Sequence, residues 1–492
     1  MSFSIVSKEK LKKIIEPHFY EDLISDEYKL ETIDARQLLT FNRFDLSFKL
    51  MFLKMVGLDA KFAQEAYEEH IRALSLGKFK EPGNSKKNNI DEYLKAFEII
   101  FSNIKKNGFN KEISVIPLSL NGYIANGSHR VASSIILDKK IDCVNIATID
   151  NIYDYKFFYQ RGVPQTMMDA SACEFIENSK NVFLAVIWPT AVGKDNQINQ
   201  LIKNVVYEKK VKLNVNGAHN LLSNIYYREE WIGSVKDNFK DSQGKLVECF
   251  KSFGPIRFIA FQSNSIDEVK KIKEEVRCLF NVGKHSIHIT DNHTETLRVS
   301  RMVFNENSIH FLNHAKPNKF ISTHKKIEEF KAFLKKNNIS NDDILLDSSI
   351  TLSAYGLREA QDTDFFINDN NNIKFKFDSI NIHDNVLEYY GLNKMEIIYN
   401  QRFYFYFNDI KFISFSNLYQ MKLNRNETKD QNDVKLMEAL VENNFFKGYY
   451  AKSMQTIYYE KIKFRHRIMK LLKFFRLYNF LKKMYTSLNL KR

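Results

Sequence analysis

The chain has 492 residues, too many for one compact core, which predicts about three domains. Hydrophobic residues make up 44% and charged residues 27%, with only 16 Gly and 7 Pro, which excludes disordered and collagen-like classes. Net charge is +14, yet residues 452–492 hold 12 Lys/Arg against the single acid Glu460, so the body is nearly neutral and nucleic acid is disfavoured as its partner.

No run approaches the 18 apolar residues of a bilayer-spanning helix, and Met1–Lys13 has no apolar core of a signal peptide. Cys143, Cys173, Cys249 and Cys278 lie far apart without CxxC spacing. Together these features predict a cytoplasmic protein with buried free thiols.

In chain order, residues 30–110 read as mostly helical, with three- and four-residue apolar spacing in LSFKLMFLKMVG, FAQEAYEEHIRALS and IDEYLKAFEIIFSNIKK. SVIPLSL then predicts a strand, NGYIANG a turn, Ser128 the start of a helix, and DCVNIATI a further strand. Strands and helices alternate from 182 to 315, through VFLAVIW, IRFIAFQ, DEVKKIKEEVRCLF and HSIHIT. AKPNKF (315–320) reads as a linker and NDNNNIK (368–374) as an exposed turn. Strands DTDFFI, FYFYF and IKFISF follow, then helices around Leu418 and Val434. The fold class predicted is multidomain α+β: 1–165, helical with a small α/β unit; 166–320, central α/β; 321–450, α+β; and 451–492, a basic amphipathic tail.

In that tail Phe464, Ile468, Leu471, Phe475 and Tyr478 share one helical face, with Arg465, Lys473, Arg476 and Lys483 largely opposite. This is the pattern of an interfacial helix on an anionic membrane surface, or of a helix docked on the body with its basic face solvated.

Gly127-Ser128-His129-Arg130 joins a strand to a helix. The free N–H groups and dipole of a helix N-terminus attract phosphate, a glycine admits close approach, and arginine clamps it. The alternative is a plain N-cap with an incidental arginine. Residues 114–148 resemble the ParB/sulfiredoxin-like superfamily, whose Gly-x-His-Arg turn holds nucleotide phosphates. The resemblance implies nucleotide binding through Gly127, Ser128, His129 and Arg130, with a nucleoside triphosphate (ATP or CTP) as cofactor. No cysteine flanks the turn, so a kinase-like use fits better than sulfinic-acid chemistry. Arg43, Asp45, Lys49 and Glu81 are upstream polar groups that suit either a base or phosphate contact, or a structural role.

Asp362 and Asp364 alternate along DTDFFI, so on a strand both face one side, roughly 7 Å apart, and suit Mg²⁺. Ser348 and Ser349 upstream suit a phosphate. Residues 345–440 resemble the polymerase-beta-type nucleotidyltransferases: a small-residue pair, about a dozen residues, Asp-x-Asp on a strand, then a helical segment matched by Lys422, Arg425, Lys429, Asp430 and Asp433. The resemblance implies Asp362 and Asp364 as catalytic and metal-binding residues, and Ser348, Ser349, Arg358 and Lys422 as nucleotide-binding ones. Ser348 replaces the usual glycine, and the third carboxylate is not evident, with Asp378 and Asp409 as poor candidates.

Five histidines (His285, His288, His293, His310, His314) crowd 285–314 without metal-ligand spacing, beside Arg277 and Lys284. NGSHRVASSI (126–135) and NGAHNLLSNI (216–225) echo one another weakly. Taken together, these features predict a nucleotide- and Mg²⁺-dependent phosphotransferase or nucleotidyltransferase with a small-molecule or sugar-phosphate substrate. Its expected setting is peripheral on the inner membrane, in bacterial capsule or lipopolysaccharide synthesis. A ParB-like nucleic-acid-binding regulator and a toxin or defence nucleotidyltransferase acting on RNA are the rival readings.

Overall fold

The computed structural model describes residues 2–80, 87–252, 254–368, 380–442 and 445–474. It is α+β, with three separate sheets.

The first sheet has the order β1-β2-β4-β3, from β1 (Ser2–Ser7), β2 (Glu27–Asp34), β3 (Ile116–Leu118) and β4 (Lys140–Asn145). Helices α1 (Asp45–Met55), α2 (Phe62–Ser75) and α3 (Ile90–Asn107) lie between β2 and β3, where the apolar spacing predicts them. The start of the predicted helical stretch is strand instead: β2 pairs on both sides, antiparallel to β1 and β4. Its alternation is short and its partners lie far off in sequence, so local spacing could not identify it. α4 (Ser128–Ile136) crosses from β3 to β4, which run parallel.

The second sheet follows α5 (Gln165–Asn178) and has the order β6-β7-β5-β8. It comprises β5 (Val182–Ile187), β6 (Val205–Val211), β7 (Ile256–Gln262) and β8 (Ile287–Ile289), and all neighbours are antiparallel. α6 (Asp195–Leu201) joins β5 to β6, and α9 (Ile266–Phe280) joins β7 to β8. This is the split βαβ arrangement, two βαβ units interleaved in one antiparallel sheet. Where a hairpin would join its middle strands, residues 212–255 intervene, carrying α7 (Val215–Tyr226) and α8 (Gln243–Cys249). α10 (His293–Val303) and α11 (Glu306–His314) follow.

The echo between 126–135 and 216–225 does not correspond to a repeated structure. Gly127 is an N-cap with φ 94°, whereas Gly217 lies inside α7 behind the cap Asn214.

After α12 (Ile321–Lys336) comes the third sheet, of order β11-β10-β9-β13-β12. It contains β9 (Ile344–Asp347), β10 (Thr363–Ile367), β11 (Ile380–Ile382), β12 (Tyr404–Phe407) and β13 (Ile410–Ile413), with α13 (Ser349–Ala354) between β9 and β10. α14 (Phe415–Arg425), α15 (Thr428–Val441) and α16 (Phe445–Phe474) end the described chain.

One apolar core runs from Ala35 to Leu312 and includes both the N-terminal helices and the central sheet, so the boundary predicted at 165 falls inside it. A second core, from Phe311 to Ala451, belongs to the C-terminal sheet. The 315–320 linker lies between α11 and α12 as expected. The predicted turn at 368–374 lies outside the described residues apart from the buried Asn368. No described helix is long and apolar enough to cross a membrane. All four cysteines are free, but only Cys143 and Cys249 are buried; Cys278 is exposed because it falls on the outer side of α9.

Candidate functional sites

The Gly127 turn opens onto a cleft of about 550 Å³ lined by helices α1 to α4 and by the segment around Glu16. Gly127 has φ 94°, and a Cβ there would stand 2.7 Å from Ile116 Cδ1 and 2.8 Å from Arg130 Nη2. Only glycine fits this turn. Arg130 is held across the cleft wall by Glu16 Oε1 at 2.7 Å and by the Val115 carbonyl at 3.3 Å. Glu16 Oε2 is buried and accepts no hydrogen bond. Sequence spacing gives no hint of Glu16, which reaches the turn only through the fold.

Arg43, Asp45 and Lys49 line the same cleft. Arg43 grips Asp45 through Nε at 2.8 Å and Nη2 at 2.9 Å, and Lys49 Nζ meets the same carboxylate at 2.8 Å. Burial disfavours the Asp45 charge, but Arg43 and Lys49 outweigh it and hold the carboxyl far below its usual range. Asp45 is therefore a spent carboxylate, not a base. Arg43 also donates to the Ile124 carbonyl at 2.7 Å, tying the network to the segment that leads into the turn. Among the described residues, five Lys/Arg (Arg43, Lys49, Lys80, Lys87, Arg130) face the cleft against two acids, Glu16 and Asp45. The cleft suits an anion.

His129 does not add to that charge. Burial, then the charges of Lys49 and Lys87, push its pKa well below the ordinary value, and its Nε2 shares a hydrogen bond of 2.9 Å with Tyr67 Oη. It is a neutral ring packed edge-on against Phe97 that anchors α4. Glu81 lies outside the described residues.

In the C-terminal unit Asp364 stands opposite Asp347 on the adjacent strand, and Asn381 of β11 flanks it on the other side. Asp347 is fully buried, bonded by His383 Nδ1 at 2.8 Å and by the Tyr390 hydroxyl. Asp362 is half-buried just before β10 and accepts from Ser349 Oγ at 3.0 Å. Ser349 thus positions a carboxylate. Ser348, at the helix N-cap, has φ 59°, a left-handed conformation that favours glycine. Burial raises the pKa of Asp364 to about 6; His383 opposes this, while Asp362 and Asp347 add to it. His383 is disfavoured as a cation by burial, yet its hydrogen bond to Asp347 and that carboxylate's charge raise its pKa.

Asp347 is a carboxylate beside Asp364 that sequence spacing did not single out. It was hidden because it precedes the serine pair and reaches Asp364 only through strand pairing. Of the two candidates considered instead, Asp378 lies outside the described residues, and Asp409 sits in the β12–β13 turn beside a different cleft.

Arg358 and Lys422 are engaged by other carboxylates. Arg358 forms a two-pronged pair with Asp433 at 2.6 and 2.9 Å, and Lys422 is buried between Asp433 at 2.8 Å and Asp430 at 3.1 Å. Arg425 closes the network on Asp430 at 2.7 Å. These side chains clamp α14, α15 and the segment before β10 together, a structural use of the charges that the resemblance assigned to nucleotide binding.

A third cleft, of about 590 Å³, lies in the central unit. His285 and His288 line it, while His310 and His314 stack on one another elsewhere with ring centroids 4.4 Å apart. Among the described residues no group of three or more His, Cys, Asp or Glu side chains is arranged to hold a metal ion. Two carboxylates are nevertheless a sufficient protein contribution for Mg²⁺, which keeps waters and substrate phosphates as its other ligands. No protein-family model matches the chain, and neither curated proteins nor solved structures yield a match.

Proposed function

We propose that the chain is a nucleotide- and Mg²⁺-dependent transferase of phosphoryl or nucleotidyl groups. The observation that carries this reading is the meeting of Asp347, Asp362 and Asp364 at the end of β9 and β10, where burial and the two neighbouring carboxylates all act against the charge of Asp364. Asp364 carries a charge that its surroundings resist, and a divalent cation between Asp362 and Asp364 relieves that excess. Asp362 and Asp364 would hold Mg²⁺, which would supply neutralisation of phosphate charge during transfer. Asp347 positions this site through His383 and Tyr390, since its own oxygens are engaged.

The cleft at Gly127–Arg130 is the nucleotide-phosphate site in this reading, for ATP or CTP. Its support is the cationic lining and the glycine turn with Arg130 packed against it. Glu16, with one unpartnered oxygen, faces a bound substrate there.

The tail is the membrane contact. Phe464, Ile468 and Leu471 are exposed on α16, the face expected to enter an anionic leaflet; Phe475, Tyr478, Arg476 and Lys483 lie outside the described residues. A cytoplasmic enzyme peripheral on the inner membrane, acting in capsule or lipopolysaccharide assembly, combines these features; the pathway rests on analogy. The test is thermal shift with each of the four nucleoside triphosphates, with and without Mg²⁺. A Mg²⁺-dependent rise with ATP or CTP, lost in Asp364→Asn, is expected. No shift with any triphosphate overturns the reading.

A further inference from the structure

The central cleft is built by the insertion that replaces the split βαβ hairpin. Tyr226, at the end of α7, Trp231 just after it and Lys245 of α8 form one wall. Arg277 of α9 and Lys284, in the turn before β8, form the other. This places four aspects of one ligand in view: charge, unsatisfied donors, a flat apolar face and free carboxylates.

Lys245 Nζ lies 4.8 Å from the Tyr226 ring centroid and 5.9 Å from that of Trp231. Burial lowers its pKa, and the charges of Lys284, Arg277 and Lys273 lower it further, so the cations crowd together. Among the described residues, neither Lys245 nor Lys284 has an ion-pair partner within 4.0 Å. Arg277 pairs with Glu274 at 2.6 Å, but its Nε is buried without a hydrogen-bond partner, as is His285 Nδ1 in the same wall. Buried donors without acceptors are costly, and an anion satisfies them.

Trp231 is 45% exposed beside this cationic wall, an aromatic face left open in a polar cleft. Glu229 and Asp241 also line the cleft and have no ion-pair partner among the described residues. Carboxylates beside an open aromatic ring suit a hydroxyl-rich ring, with hydroxyls donating to the acids and C–H groups packed on the indole.

We propose that this cleft binds a sugar phosphate, its phosphate on Lys245, Arg277 and Lys284 and its ring against Trp231. The assignment concerns binding and does not depend on the transfer reading; within that reading the sugar phosphate is the second substrate.

Calorimetry on the full chain tests it with glucose 1-phosphate and N-acetylglucosamine 1-phosphate, against glucose, inorganic phosphate and AMP. At least one hexose phosphate is expected to bind about tenfold more tightly than inorganic phosphate, glucose or AMP. Lys245→Ala and the surface change Lys284→Ala should each weaken it about tenfold, the loss of one charged contact. Trp231→Phe should weaken the hexose phosphate and leave inorganic phosphate unchanged. Arg130→Ala and Asp364→Asn should leave this binding intact, which separates it from the transferase sites. Absence of hexose phosphate binding at millimolar concentration, equal binding of inorganic phosphate or AMP, or unchanged affinity in Lys284→Ala overturns the proposal.

Discussion

Asp364 and Asp347 face each other across the antiparallel β9–β10 pair, so two carboxylates share one pleat of the sheet. Asp347 is satisfied by His383 and Tyr390, whereas Asp364 meets Asn381 and the repulsion of two acids. This asymmetry separates their roles. One carboxylate is held in place, and the other is left poised for a cation.

A pH dependence follows from that asymmetry. The folded pKa of Asp364, about 6, lies above its ordinary value of 3.8, so the folded state takes up a proton before the unfolded one does. The associated stability is fully present below the unfolded value and is lost as pH rises through 6. The two-unit gap corresponds to at most roughly 3 kcal/mol. Melting curves between pH 5 and 8 should show the wild type gaining stability on acidification relative to Asp364→Asn. Parallel curves for the two proteins would refute the strained carboxylate.

Mg²⁺ should act on the same group. At pH 7.5 it is expected to raise the melting temperature of the wild type but not of Asp364→Asn or Asp362→Asn, and both variants should lose metal-dependent transfer. Wild-type activity in either one would remove these aspartates from catalysis.

At the N-terminal cleft, Arg130→Ala should weaken nucleotide binding by about 1.5–3 kcal/mol, the scale of a charged hydrogen bond. Gly127→Ala should do so too and lower stability as well, because its Cβ would meet Ile116 and displace Arg130. Calorimetry with ATP and CTP reads the affinities. Unchanged affinity in a folded Arg130→Ala protein would move the nucleotide site elsewhere.

The buried network of Arg358, Lys422, Asp430 and Asp433 should behave as structure. Removing one buried charge leaves its partner uncompensated, at a cost of about 3–5 kcal/mol. Lys422→Met should therefore unfold at markedly lower denaturant concentration. A stable Lys422→Met protein with weakened nucleotide affinity would restore the binding role expected from the resemblance.

Deleting residues 456–492 should leave a folded, nearly neutral protein that no longer co-sediments with vesicles of acidic lipid. Retained vesicle binding, or aggregation of the truncated protein, would count against the tail as the membrane contact.

The sequence by itself determined the elements whose signal is local. The apolar spacing of α1, α2 and α3, the glycine turn before α4, and the apolar run that forms β10 are all near-neighbour patterns, read within a dozen residues. So is the basic tail, which is a matter of composition. Only the tertiary structure decided which distant groups meet. Strand pairing brought Asp347 to Asp364, chain reversal brought Glu16 to Arg130, and packing of α14 and α15 on the segment before β10 spent Arg358 and Lys422 on Asp430 and Asp433. A side chain's type states which interactions it can make. Which of them it makes, and whether any capacity remains for a ligand, depends on partners far away in sequence, 114 residues in the case of Glu16 and Arg130, and no local pattern records them.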